Sequence, residues 1–427
     1  MQAGRTAKLA RPMLRSSQIF LIAMLALLGT ATAAAQSQVS AYSRGGYGLL
    51  NDYASGAQRA MGGVGYAMNN GRQINVMNPA SYAMCDSLTF LWDIGLDMTN
   101  LWQEEDGTHG YTFGGGLDYI TMQFPISKKM GASIGLVPFS TVGYGYTADL
   151  DDDGASEARE GVGGINQLYA GVAYRFFDLI SIGVNFSYNF GSVSNQTYVY
   201  TSESSTSIFD HVVKVQDWGV NFGLQISKVF KRKHRLTLGV AYTPAKDLHG
   251  KTWGTYYNYT SDSSVDTVGY QKMGGDFSTP HMIGGGINYT YDDRITLEAD
   301  FSYQNWGSAK FKDIELFSET EFNDRYRGAF GVQIIPKHRG NFVQRTNYRF
   351  GAYYTRDYIT VRGNEVREYG ITMGFGMPSM FTKTMINLSL EYKHRYSSPT
   401  NYITEDYFFI TLGINFNEMW FWKNKLR

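Results

Sequence analysis

The chain has 427 residues, and its 38 basic side chains balance 38 acidic ones, so it lacks the basic footprint of a nucleic-acid-binding protein. It is rich in Gly (48), Tyr (32) and Phe (26) and poor in Pro (9), and its single cysteine, Cys85, excludes an internal disulfide. Glycine and aromatics in this proportion suit a large closed sheet with aromatic girdles; no stretch beyond the N-terminus is apolar enough for a spanning helix, which excludes a polytopic helical membrane protein.

Residues 1–35 read as a signal peptide. Arg5, Lys8, Arg11 and Arg15 precede an apolar run from Ile19 to Leu28, and Ala33-Ala34-Ala35 ends the segment ahead of Gln36. That order of basic, apolar and small residues is the one the export machinery reads, and cleavage is expected after Ala35. Met13 to Ala35 already forms a complete signal. Residues 36–87 follow, rich in Gly, Ala and Asn and without long alternation; they are expected to form an N-terminal plug. Cys85, in this segment, reads as a small apolar residue.

Residues 88–427 alternate nearly throughout. In Trp218 to Ser227 every apolar residue falls on one face and every small or polar residue on the other. Ile295, Leu297, Ala299, Phe301 and Tyr303 oppose Thr296, Glu298, Asp300, Ser302 and Gln304 in the same way. A soluble sandwich also alternates, but many segments here exceed the roughly 10 residues that a tilted strand needs to cross a bilayer. Mid-strand carboxylates such as Glu298 and Asp300 then point into a wet or plugged lumen.

Tight connections stand around Lys128-Lys129, Phe177-Asp178, Lys231-Arg232-Lys233, Asp292-Asp293, Lys337-His338-Arg339 and Ser379-Met380. Long polar stretches lie near 102–111, 149–161, 201–210, 250–264, 309–321, 357–367 and 397–404. This pattern predicts an all-β fold: a 14-stranded antiparallel transmembrane barrel with short periplasmic turns, long outer loops and both termini periplasmic, in the outer membrane of a Gram-negative bacterium. The count treats 265–290 as one long strand with a bulge at Pro280.

Gln58-Arg59-Ala60-Met61-Gly62-Gly63-Val64-Gly65-Tyr66-Ala67, with Ile74-Asn75-Val76-Met77-Asn78-Pro79-Ala80 after it, resembles the plug of the FadL/TodX family of outer-membrane transporters for hydrophobic compounds. The likeness is closest to a Bacteroidetes-type branch. The resemblance implies passive uptake of long-chain fatty acids or other hydrophobic molecules, with sideways exit through the wall at a kinked third strand. Pro138, Gly143 and Gly145 lie on the predicted third strand, 131–148, where they mark either that gap or ordinary barrel curvature. Asn78-Pro79-Ala80 either fixes a turn or touches ligand. Arg59 either attracts a carboxylate head or pairs with a wall acid such as Glu298 or Asp300. Implied partners are hydrophobic small molecules and outer-membrane lipids. A PorV-like interaction or secretion-shuttle protein is the alternative, separated from a transporter by whether an apolar tunnel runs from the plug to a gap near Pro138.

Asp149, Asp151, Asp153, Gly154 and Glu160 match the spacing of an EF-hand loop, which would take Ca²⁺ through hard oxygen ligands. Ser156 at the eighth position and flanking strands in place of helices count against calcium, and an acidic surface loop is the alternative. No cofactor is required. No His-x-x-x-His pair, Cys/His cluster or Gly-x-Ser-x-Gly turn is present, so no enzyme is expected.

Overall fold

The computed structural model describes residues 40–149, 156–200, 206–259, 265–273, 276–312, 322–379 and 383–419. The expected signal peptide, Asp151, Asp153, Gly154, Met380 and the basic tail lie outside them.

Fourteen strands close into one antiparallel barrel. The first seven are β1 (Thr89–Glu105), β2 (Thr108–Ser127), β3 (Met130–Asp149), β4 (Ser156–Phe176), β5 (Ile180–Tyr200), β6 (Thr206–Phe230) and β7 (His234–Thr243, resuming as Gly250–Tyr259). There follow β8 (Val265–Met273, resuming as Met282–Tyr291), β9 (Ile295–Gln304), β10 (Arg325–Ile334), β11 (Asn347–Val361), β12 (Asn364–Pro378), β13 (Met385–Ser398) and β14 (Thr404–Met419). The ring closes where β14 pairs with β1, from Thr404↔Glu104 to Met419↔Thr89. Among the described residues no helix is long and apolar enough to cross a membrane.

The two faces of the sheet reverse the pattern of a soluble protein. Trp218, Phe186 and Ile371 are 60% or more exposed on the outside, while Arg349, Glu298 and Thr237 are fully buried on the inside. Large apolar side chains turned outward all round the barrel fit hydrocarbon as the surrounding medium, with polar groups satisfied in the lumen. The alternation along each strand is what sets this two-sided surface.

Pro280 has a larger effect than the expected bulge. β8 breaks in two, and Asp276–Thr279 turns aside to pair with Lys246–Leu248 and with Phe311–Lys312 in a small antiparallel sheet. Pro244, where β7 leaves the wall, and Pro280 both lack the N–H that a continuous ladder would need.

The plug, from Ser40 to Leu88, fills the lumen. It carries a 3-10 turn (Ala41–Arg44), a short strand (Leu49–Leu50) against β3, one helical turn (Gly56–Arg59) and a 3-10 turn (Pro79–Met84). Tyr42, Tyr47 and Leu49 join Phe139, Trp306 and Tyr358 in an apolar cluster towards the long loops, and Tyr82 packs with Tyr119, Val137 and Tyr169 nearer the short turns. Ser40 bonds Gly143 on β3 and Glu405, the second residue of β14, so the described chain starts at the long-loop end. From there the segment runs the length of the lumen before β1 begins.

Candidate functional site

The plug is held by side chains that satisfy its own turns and by acids on the wall. Asn78 caps the Pro79–Met84 turn: its Oδ1 accepts the Ala80 N–H at 3.1 Å, and its Nδ2 donates to Tyr66 O at 2.7 Å. Pro79 and Ala80 are buried against wall glycines. A Cβ on Gly183 would lie 2.4 Å from Pro79 C, and one on Gly223 would lie 2.1 Å from Asn78 Oδ1. The wall is therefore shaped to this motif, whose groups are occupied within the protein. Gly62 has a φ of +74°, and a Cβ there would meet the carbonyl oxygens of Ala352 and Phe330 at 2.9 Å.

Glu298 and Asp300 do face the plug, but Arg59 is not their partner. Asp300 Oδ2 accepts the N–H groups of Gly65 (2.6 Å) and Tyr66 (3.0 Å), and Glu298 Oε1 accepts that of Ala67 (3.0 Å). Arg59 reaches Asp118 on β2 at 2.7 Å. Asp118 is an extra residue in the β1–β2 ladder, which pairs Gly95 with Tyr119 and Leu96 with Leu117. A bulge of this kind re-aims a side chain, and simple alternation does not reveal it.

The wall is unpaired between β2 and the outer half of β3. Their ladder runs from Ser127↔Met130 to Ile120↔Leu136 and stops below Pro138. Beyond that point the plug takes over the β3 edge: Leu49 and Leu50 pair with Thr141 and Ser140, Asn51 N–H donates to Phe139 O, and Ser43 Oγ accepts from Gly143 N–H. Pro138 also marks a register shift towards β4, whereas Gly145 pairs regularly with Glu160.

A cavity of about 330 Å³ lies behind this separation, between Gly116 and Leu117 on β2, Pro138 and Thr141 on β3, and the plug. It is charged. Asp52 Oδ1 and Oδ2 meet Arg325 Nη1 at 2.9 Å and Arg327 Nε at 3.1 Å. Arg395 Nη2 meets Glu368 Oε2 at 2.7 Å, with Lys393 and Asp357 beside them. Burial would push the Asp52 carboxyl up, but Arg325 and Arg327 outweigh it and hold the group well below the ordinary carboxylate range. The apolar tunnel imagined near Pro138 is thus absent there, and a salt-bridged chamber occupies its place. Arg325, Arg327 and Arg395, which sequence reading passed over, were signalled only as cations on the polar faces of β10 and β13.

In the acidic hairpin, Asp149 pairs with Ser156, and Glu160 lies further down β4 opposite Gly145 and Gln196. Among the described residues no group of three or more His, Cys, Asp or Glu is arranged to hold a metal ion.

Similar folds occur among solved structures. A Pseudomonas aeruginosa FadL homologue superposes with a TM-score of 0.60 at 13% identity, over 86% of this chain and 99% of that one. The Pseudomonas putida toluene transporter TodX gives 0.58 at 13% identity, over 87% and 100%. The Ralstonia pickettii toluene transporter TbuX gives 0.56 at 13% identity, over 86% and 98%. At such identity these likenesses establish the shared barrel-and-plug fold. No curated protein matches the sequence. The family model described as BamG matches residues 13–427, nearly the whole chain, and the protein belongs to the BamG family.

Proposed function

We propose that this protein is an outer-membrane conduit for amphiphilic hydrophobic molecules of the fatty-acid type, which leave sideways between β2 and β3. The observation that carries the reading is the loss of ladder pairing above Ile120↔Leu136 together with the cavity behind it. An acyl chain passing there would enter hydrocarbon with a gain of roughly 0.8 kcal/mol per buried methylene, so no energy source is needed. The charges refine the substrate class. Toluene, named for two barrels of this fold, carries no charge for Arg325 or Arg327 to hold, whereas a carboxylate head could exchange with Asp52.

Gly116 offers the test. A Cβ there has nothing within 4 Å, so Gly116→Trp should assemble normally while filling the separation. Uptake of labelled oleate by cells carrying Gly116→Trp is expected to fall to the level of a deletion strain. Unchanged uptake in the deletion strain itself would remove the transport reading.

A second reading, a PorV-like interaction protein, is favoured by the same chamber, because its cations are already paired and its plug is firmly anchored. Calcium binding by the acidic hairpin is a further proposal. Calorimetry at millimolar Ca²⁺ tests it, and the absence of heat would dispose of it.

A further inference from the structure

β6 and β7 pair from Thr206↔Tyr259 to Val215↔Gly250 and again from Phe222↔Tyr242 to Phe230↔His234, but the ladder is missing between these runs. Over this interval β7 leaves the wall at Pro244 and passes through the side sheet before returning. The interval is spanned by isolated bonds: Gln216 N–H to His249 O at 3.1 Å, Lys246 Nζ to Asp217 Oδ1 at 2.6 Å and to Trp218 O at 2.7 Å, and Asn221 Nδ2 to Thr243 Oγ1 at 2.9 Å.

A cavity of about 360 Å³ passes through the interruption, within the size range of small-molecule sites. Its inner end rests on Val76 and Met77 of the plug and on Phe139. Its outer end is framed by Trp218 and Phe186, 66% and 60% exposed on the apolar face. A molecule entering from outside would therefore come from hydrocarbon.

Three acceptors line it. Asn185 and Asn189 are only 4% and 8% exposed, and neither their Oδ1 atoms nor that of Asn221 have a hydrogen-bond partner among the described residues. A buried carbonyl oxygen left unpaired is costly unless a bound molecule supplies the donor. Among the described residues that line the cavity the cation is Lys246, and Asp217 occupies it.

We infer that this interruption is a binding site for a single-chain lipid with a neutral head group carrying hydroxyl or amide donors. The head donates to the unpaired amide oxygens of this cavity, and the chain lies outward past Trp218 into the bilayer. The site is separate from the β2–β3 opening and does not depend on any passage of solute there.

Full-length protein in nanodiscs of phosphatidylcholine, whose head group has no hydrogen-bond donor, allows a direct test. The probe is a monoacylglycerol brominated on its chain, which quenches nearby tryptophan; its partner is the same molecule with both hydroxyls methylated. Saturable quenching is expected with the first probe, lost in Trp218→Phe, and roughly tenfold weaker binding with the methylated one. Asn185→Leu, Asn189→Leu and Asn221→Leu together should abolish that preference. Equal binding of the two probes by the unaltered protein, or quenching that only tracks probe concentration in the bilayer, would overturn the assignment without relying on any variant.

Discussion

Two interruptions of the barrel wall, between β2 and β3 and between β6 and β7, differ in how they are mended. Between β2 and β3 the plug backbone repairs the edge, with Leu49, Leu50 and Asn51 bonding to β3. Between β6 and β7 the repair is made chiefly by side chains, Lys246 and Asn221 among them. The first opens onto paired charges and the second onto a more apolar wall with three idle amide oxygens. A missing stretch of ladder makes a passage in either place. What lines it decides which molecule it admits.

The largest test of this contrast lies in the charged chamber. Arg395→Met would leave Glu368 with only the more distant Lys393 and Glu405 without its nearby cation, both buried, and should lower unfolding stability by about 3–5 kcal/mol in urea titrations. A near-neutral effect would mean that the chamber is well hydrated. Asp300→Ala removes the acceptor of two plug N–H groups and is expected to cost about 1–3 kcal/mol. Hydrogen exchange should quicken at Gly65 and Tyr66 while the β1–β14 seam stays protected; protection unchanged at both amides would show the plug to be held elsewhere. Asp217→Asn at the apolar interruption should cost only about 1 kcal/mol, because half-exposed Lys246 can turn to water. A loss matching that of Arg395→Met would erase the contrast. The smallest effect is at Cys85, whose thiol burial pushes up to about 11. Maleimide labelling, followed by mass spectrometry, should be slow at pH 7.5 and rise about tenfold per pH unit towards pH 10, as the thiolate forms. Fast, pH-independent labelling would mean that the plug floor is open to water.

Strand number and the inward or outward facing of residues were legible because alternation and turn chemistry are local. The tight connections at Lys128-Lys129, Phe177-Asp178 and Asp292-Asp293 lie where the strands turn. The site was less legible. Pro138 and Pro280 could be recognised as places where a ladder fails, but not how the chain would be rejoined, since Leu49–Leu50 and Lys246–Leu248 come from distant or displaced segments. The partner of Arg59 was hidden by a single inserted residue at Asp118, which shifts register without disturbing the visible pattern. Unpaired amides at Asn189 and Asn221 depend on three-dimensional neighbours that no spacing encodes.

The position of Ser40 bears on the order of assembly. Its hydroxyl and the Ala41 N–H bond to Glu405 on the last strand, more than 360 residues away, and the Ser40 N–H bonds to Gly143 on β3. Contacts of such separation are among the slowest to form, because the intervening chain must first be ordered. The start of the plug therefore cannot lock until β14 is in place beside β1. Closing the ring and seating its stopper become one event, and a barrel that stalls short of its final strand keeps an unsecured lumen.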